Sequence, residues 1–326
     1  MQLQQNIQLA RIPHALLVTG AVGVGKQNFA VAFCQRLLCF KGSESGACGE
    51  CKACQLMIAG THPDIHYVQL EEKSQALKID QIRELVVALT KTSQISSRHC
   101  VIIEPADRLN VNAANALLKL LEEPPGNSVI VLVSASPHRL TATIRSRCRK
   151  LHIDPPSAKT AMVWLKQQGL AEKEAEQALT VARGAPLKAL SLYREHGLEQ
   201  HTAIAKQLAG VLSRHLSVVE AASDLSNREW VDVLDSMLDW TRLTVRNGSS
   251  SGGSSHLPVV LQPYLSALPN GEAVFRFYDK LLSIKSQLLS TANPNRQLLW
   301  EECLLDWQAL VKLAPHPTSG AINAAN

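Results

Sequence analysis

Four cysteines lie close together in the first sixth of the chain and could hold a metal ion. Cys39, Cys48, Cys51 and Cys54 have the spacing C-x8-C-x2-C-x2-C. Four thiolates in so short a segment can surround one zinc ion tetrahedrally and close the site against water. The residues between Cys39 and Cys48 are loop-like and poor in apolar side chains, so a bound metal would supply order that burial alone cannot. The pattern predicts a structural zinc site; a redox dithiol at Cys51 and Cys54, or buried free thiols, are the alternatives.

Other residues that could ligate a metal are interpreted differently. The remaining cysteines stand singly in apolar runs or motifs and are predicted to be core residues: Cys34, Cys100, Cys148 and Cys303. His62 and His66 are ligands by type. Because four thiolates already complete a zinc site, neither imidazole is expected to join it.

A glycine-rich segment ahead of a helical pattern could bind phosphate. The segment from Gly20 to Lys26 follows an apolar run and fits the pattern G-x-x-x-x-G-K, in which backbone N–H groups and a helix N-terminus face an anion. The candidate residues of this phosphate loop are Gly20, Gly23, Gly25, Lys26 and Gln27. An active loop carries Ser or Thr at the last of these positions to bind magnesium, so Gln27 compromises the metal site.

A second departure lies at the end of a later apolar run. An active ATPase would place an acidic residue and then a catalytic glutamate here, whereas this chain reads Glu104-Pro105-Ala106-Asp107. Phosphoryl transfer depends on the metal and on a residue that orients the attacking water. We therefore expect negligible hydrolysis. Two interpretations of the loop remain open: a structural turn that keeps glycines for backbone geometry, and a real nucleotide site in which Lys26 attracts phosphate.

The elements that would position these residues alternate between strand and helix. Apolar runs at 14–19, 100–104, 128–134 and 150–153 predict strands, and helical periodicity over 27–40, 79–89 and 114–121 predicts helices between them. Strands separated by helices imply βαβ units and a parallel sheet. The fold class expected for this part of the chain is therefore α/β.

Beyond the strand-like runs the pattern becomes helical. Asp154-Pro155-Pro156 suits a hinge, which places a domain boundary near residue 155. A small helical module is predicted at 156–200 and an all-helical domain at 201–326. Within the latter, the polar stretch Asn247 to Ser255 is predicted to be a surface loop, and the chain from Pro315 onward to fray.

Composition excludes several classes of protein. With 326 residues, 46% of them hydrophobic and 19% charged, the chain can bury a large core and is not expected to be disordered. No stretch approaches the roughly 20 apolar residues of a membrane span, and no signal peptide is evident, so a cytoplasmic protein without a membrane partner is expected. The net charge of +5 fits contact with a phosphate backbone as well as a role within an assembly.

Two motifs carry a resemblance to a known family. The run from Ala113 to Pro125, A-A-N-A-L-L-K-L-L-E-E-P-P, and the run from Thr143 to Cys148, T-I-R-S-R-C, resemble signatures of the bacterial clamp-loader AAA+ family. The resemblance implies a RecA-like AAA+ sheet domain with the zinc module over residues 1–155, a helical lid, and a collar through which subunits oligomerise. Relatives usually carry further residues ahead of the first strand, which leaves a start upstream of Met1 open.

The resemblance assigns roles to individual residues. Arg147 would reach the γ-phosphate of ATP bound by a neighbouring subunit, as an arginine finger supplied in trans; a helix cap or a surface ion pair is the alternative. Ser134 or Ser136 stands where active members sense the γ-phosphate, although either could be a turn residue. Leu187 replaces an arginine that active members use to sense nucleotide.

Together these departures favour a non-hydrolysing subunit over a motor. The resemblance implies a hetero-pentamer with motor (gamma/tau) and delta subunits, acting on a sliding clamp and primed DNA. Such a protein belongs to the DNA polymerase III holoenzyme without performing polymerase chemistry. Two other functions compete: an active AAA+ ATPase motor using Gln27 and Glu104, and a zinc-dependent nucleic-acid-binding protein.

Overall fold

The computed structural model describes residues 12–43, 46–72, 74–247, 257–266, 268, 272–288 and 295–312. Its strands are β1 (Ala15–Thr19), β2 (Ile65–Val68), β3 (His99–Ile103), β4 (Ser128–Ser134) and β5 (Arg149–His152). They form one sheet in the order β2-β3-β4-β1-β5, and every pair of neighbours is parallel. The carboxyl ends of the strands therefore meet at one edge, where a doubly wound sheet places its ligands.

Fourteen α-helices are described beside these strands. They are α1 (Lys26–Leu38), α2 (Lys52–Ile58), α3 (Ile79–Leu89), α4 (Val111–Glu122), α5 (Ala142–Arg147), α6 (Ala158–Gln167), α7 (Glu172–Val181), α8 (Pro186–Arg194), α9 (Gly197–Leu212), α10 (Val218–Ser226), α11 (Trp230–Asn247), α12 (Gln262–Leu265), α13 (Glu272–Leu288) and α14 (Arg296–Lys312). The predicted fold class, a parallel α/β domain followed by helices, is confirmed.

The three central strands, β1, β3 and β4, are buried on both faces, which explains their continuous apolar runs. On one face, Leu17 of β1 packs in a cluster with Leu85 of α3 and Leu117 of α4. On the other face, Leu16 of β1 packs with Phe33 of α1. Because successive strand side chains point to opposite faces, β1 supplies both clusters from adjacent residues.

The structure differs from the sequence predictions at two elements. Strand β2 was not predicted, because it lies at the edge of the sheet and its residues I-H-Y-V are only partly buried. Helix α1 ends at Leu38 rather than near residue 40, since Cys39 already has an extended backbone, with φ −70° and ψ 131°. The chain therefore leaves the helix at the first of the four clustered cysteines.

The chain divides into two compact units, residues 1–190 and 191–326. Helices α6 and α7 belong to the first unit with the sheet, so the division into three domains at 155 and 200 stays a prediction. The second unit is helical throughout its described residues, and Trp240, Trp300 and Trp307 are buried in its core. The predicted loop after Asn247 and the residues from Pro315 lie outside the described residues. None of the described helices is long and apolar enough to cross a membrane.

Candidate metal centre and nucleotide-site residues

The four clustered cysteines come together at the end of α1 and the start of α2. Their sulfur atoms all lie within 4.8 Å of one another. Cys39 Sγ lies 3.5 Å from Cys48 Sγ and 3.9 Å from Cys51 Sγ, and Cys48 Sγ lies 3.9 Å from Cys54 Sγ. A tetrahedral zinc site with Zn–S bonds of about 2.3 Å requires sulfur–sulfur distances of about 3.8 Å. The thiol groups therefore fit a zinc ion.

Backbone N–H groups point at these sulfur atoms. Cys48 N–H donates to Cys39 Sγ at 3.3 Å, and Cys51 N–H donates to Cys48 Sγ at 3.4 Å. Burial opposes ionisation of the Cys51 thiol, but hydrogen bonds from backbone N–H groups outweigh it and lower its pKa to about 6. Burial raises the pKa of Cys54 to about 12. A metal ion that binds all four sulfurs would therefore displace a proton from Cys54.

The two candidate histidines are bonded elsewhere. His62 Nδ1 accepts the N–H of Asp64 at 3.1 Å, which leaves the proton on Nε2, 3.3 Å from Ser96 Oγ. Ser96 Oγ donates to Leu38 O at 2.9 Å, so this buried network fixes the end of α1 beside the first cysteine. His66 Nε2 lies 3.3 Å from His99 Nδ1. Within the described residues the candidate metal group contains only the four cysteines.

The phosphate loop connects β1 to α1, and its backbone requires glycine. Gly20 has φ 149°, and a Cβ at this position would lie 2.3 Å from the backbone oxygen of Ile153. Gly23 has φ 79°, a left-handed conformation that side chains other than glycine rarely adopt. These glycines have a geometric role that does not need a nucleotide.

The start of α8 packs directly on this loop. Leu187 N–H donates to Gly23 O at 3.0 Å. A Cβ on Gly23 would lie 2.5 Å from both the backbone nitrogen and Cβ of Lys188. The Leu187 side chain itself lies 3.9 Å from the place of a Gly25 Cβ. Leu187, which stands where active family members are expected to have a sensor arginine, is therefore part of an internal contact between α8 and the phosphate loop. Because α8 lies in the predicted helical lid, this contact is called here the lid contact.

The loop lysine is also bonded within the loop. Lys26 is buried, and its Nζ donates to Ala21 O at 2.7 Å. Burial lowers the pKa of this amine, and the nearby Glu104 and Asp107 carboxylates only partly offset the shift. Gln27 is exposed at the start of α1.

Of the two acidic residues after β3, Asp107 contacts the end of β4. Asp107 Oδ1 accepts from Ser134 Oγ at 2.6 Å and from Ala135 N–H at 3.1 Å. The hydroxyl of Ser134, one of the two candidate sensors, therefore joins the end of β4 to the segment after β3. The same hydroxyl accepts the N–H of Ser136 at 3.1 Å. Burial raises the pKa of the Glu104 carboxyl, and its Oε2 is buried without a hydrogen-bond partner in the described structure.

Arg147 is the last residue of α5 and forms an ion pair. Its Nη2 lies 2.6 Å from Glu122 Oε1, at the end of α4, and its Nη1 donates to Thr143 O at 3.2 Å. The two charged side chains remain 37% and 49% exposed. Sequence reasoning did not identify Glu122 as the partner. The only signal was the acidic pair at 122 and 123, which does not show which carboxylate faces α5.

Comparison with known proteins gives concordant matches. A family model described as "DNA polymerase III, delta subunit" matches residues 1–157, and one described as "DNA polymerase III, delta subunit, C terminal" matches residues 263–309. The chain is 36% identical to DNA polymerase III subunit delta' of Pseudomonas aeruginosa, with 92% of this chain and 93% of that protein aligned. It is 30% identical to the Escherichia coli protein of the same name, with 93% and 91% aligned. The chain therefore belongs to the family of DNA polymerase III delta-prime subunits.

Proposed function

We propose that this chain is a subunit of the DNA polymerase III clamp loader that does not hydrolyse ATP and instead supplies Arg147 to ATP held by a neighbouring motor subunit. The observation that carries the proposal is the internal bonding of the phosphate loop. Lys26 donates to Ala21 O, and Leu187 N–H donates to Gly23 O. To bind a phosphate, Lys26 would have to release Ala21 O, and Gln27 offers no hydroxyl to magnesium.

The position of Arg147 supports a role in trans. The side chain is 37% exposed at the end of α5, so it is accessible to a neighbouring protein. A guanidinium stays charged and forks onto phosphate oxygens, and it stabilises the charge that develops during phosphoryl transfer. The ion pair with Glu122 makes a purely structural arginine the competing explanation.

The cysteine cluster supports a structural zinc ion. Four sulfurs at tetrahedral spacing leave no coordination position for a substrate, which is typical of a closed structural site. Zinc bound there would hold the loop between α1 and α2. The convergence of four sulfurs favours this over a dithiol that needs only Cys51 and Cys54.

Partners follow from the same proposal. We place the chain in a hetero-pentamer with motor (gamma/tau) and delta subunits, acting through the complex on the sliding clamp and primed DNA. The helical second unit is the proposed oligomerisation domain, and its residues 263–309 match the C-terminal region of the family. The relatives are named as subunits of DNA polymerase III, which supports the proposal that this chain acts within a multi-subunit complex.

Phosphate release from the reconstituted complex tests the proposal. Arg147→Ala should slow hydrolysis at the one site that it serves by about 10³-fold or more, the usual effect of losing an arginine finger. Arg147→Lys should recover little, since an ammonium does not fork. Arg139→Ala, at an exposed arginine outside the motif, is the control. Unchanged turnover with Arg147→Ala, or ATP hydrolysis by the isolated chain that Lys26→Ala abolishes, would contradict the proposal.

A further inference from the structure

We infer that Glu122 is a positioning residue for Arg147: its carboxylate holds the guanidinium in the orientation in which it meets the neighbour's phosphate. The inference rests on the proposed function of Arg147. It starts from the 2.6 Å contact between Arg147 Nη2 and Glu122 Oε1, which joins the last residues of two helices.

Arg147 needs such support because its own helix is short. Helix α5 has six residues, and Arg147 is its C-terminal residue, so its long side chain would otherwise sample many rotamers. Helix α4 is the firmer base. It has 12 residues, its Asn110 side chain caps its N-terminus, and Leu117 and Leu121 are fully buried in the core. The Glu122 carboxylate is therefore held by a well-packed helix.

The contact leaves the guanidinium able to bind phosphate. An arginine side chain carries five N–H donors. The two bonds to Glu122 and to Thr143 O use two donors, so three remain for a ligand. A fork that is already oriented does not have to be ordered again when charge develops on the phosphate. Both partners are partly exposed at this surface, so the same arginine can stay paired while it contacts a neighbouring protein.

The effect should be modest. An exposed ion pair contributes little to free energy, which corresponds to about a two- to fivefold change in rate. Because the finger acts on the transition state, the loss should appear in kcat, with KM for ATP unchanged. A carboxylate that instead held Arg147 away from phosphate would produce the opposite sign.

The test is ATP turnover by the complex of this chain with motor and delta subunits, in the presence of clamp and primed DNA. Glu122→Ala should lower kcat at the site that Arg147 serves about two- to fivefold, and the summed turnover of the complex should fall by less. Glu122→Gln, which keeps an acceptor but not the charge, should fall between Glu122→Ala and the unaltered chain. Glu123→Ala is the matched control, because this neighbouring carboxylate is also exposed and acidic. The deficit should shrink at high salt, which screens exposed pairs.

The double variant Glu122→Ala/Arg147→Ala separates positioning from a structural role. If Glu122 acts through Arg147, the double variant should match Arg147→Ala alone. A further drop in the double variant, or a rise or no change in kcat with Glu122→Ala, would overturn this inference while the proposed function stood. No loss with Arg147→Ala would overturn the proposed function itself.

Discussion

Asp64 illustrates how a single buried carboxylate can organise a loop. It is fully buried, and its oxygens accept the backbone N–H groups of Gln94, Ile95 and Ser96 at 2.6, 2.8 and 2.7 Å. Burial opposes ionisation of this carboxyl, but the three donors outweigh it, and its pKa lies below the usual value. The segment ahead of β3 depends on a charge held inside the protein.

Asp64→Asn should destabilise the first unit, because an amide cannot offer acceptors to all three donors. We expect a loss of about 1–3 kcal/mol in the free energy of unfolding near pH 7, measured by urea denaturation. A depressed pKa contributes stability above the unfolded value of about 3.9, and this contribution disappears as the pH falls through the lower folded pKa. The variant should therefore lose less stability than the unaltered chain on acidification. The prediction would be wrong if the free energies of unfolding of the two proteins fell equally as the pH was lowered.

At the residue scale, the sequence predicted which side chains could bind a metal ion better than it predicted which side chains contact each other. The spacing of Cys39, Cys48, Cys51 and Cys54 predicted that their sulfur atoms would lie close together, because all four fall within one short segment of the chain. The pairing of Arg147 with Glu122, and the tie from Asp107 to Ser134, depend on how separate helices and strands pack. Neither contact has a signal in local residue patterns.

Metal removal acts at the scale of elements, on the connection between α1 and α2. Cys48→Ser should abolish stoichiometric zinc binding, measured by metal analysis of the purified chain, and increase proteolytic cleavage in the 39–58 segment. Cys34→Ala, which changes a buried thiol outside the cluster, should retain zinc. Full zinc content in Cys48→Ser would rule out the proposed ligand set.

The lid contact gives a second prediction at this scale. Gly23→Ala places a Cβ 2.5 Å from Lys188 and strains a left-handed residue, so α8 should separate from the loop. Gly126→Ala is the control, because Gly126 is also left-handed, with φ 56°, but nothing lies within 4 Å of its added Cβ. Both should lose about 1–3 kcal/mol from strain. Only Gly23→Ala should speed hydrogen exchange at residues 184–190, and equal exchange in the two variants would argue against the lid contact.

Most elements could be predicted from periodicity, and the exceptions have physical causes. Strands β1, β3 and β4 are buried on both faces and therefore stand out as apolar runs. Strand β2 is a four-residue edge strand whose pattern is not distinctive. Helix α1 ends early because the backbone of Cys39 is extended, and helical periodicity carries no signal for that change.

At the scale of the whole molecule, the two compact units should unfold in separate steps. Of the five tryptophans, Trp164 belongs to the first unit and the other four to the second. Tryptophan fluorescence should therefore follow mainly the second unit, and circular dichroism both. Gly23→Ala should shift the circular dichroism transition in urea and leave the main fluorescence transition in place. Coincident transitions that shift together would show one cooperative unit. The unit boundary at 190 was not predictable from composition, since helical pattern continues across it.

The hydrogen bond from Leu187 N–H to Gly23 O bears on how this chain would respond to nucleotide. This backbone bond ties α8 to the phosphate loop without a nucleotide, so on the proposed function the arrangement of α8 and the loop would not depend on the ratio of ATP to ADP in the cell. Only the neighbouring motor subunits would then change conformation with the nucleotide that they bind, while α8 and the phosphate loop of this chain keep a fixed arrangement.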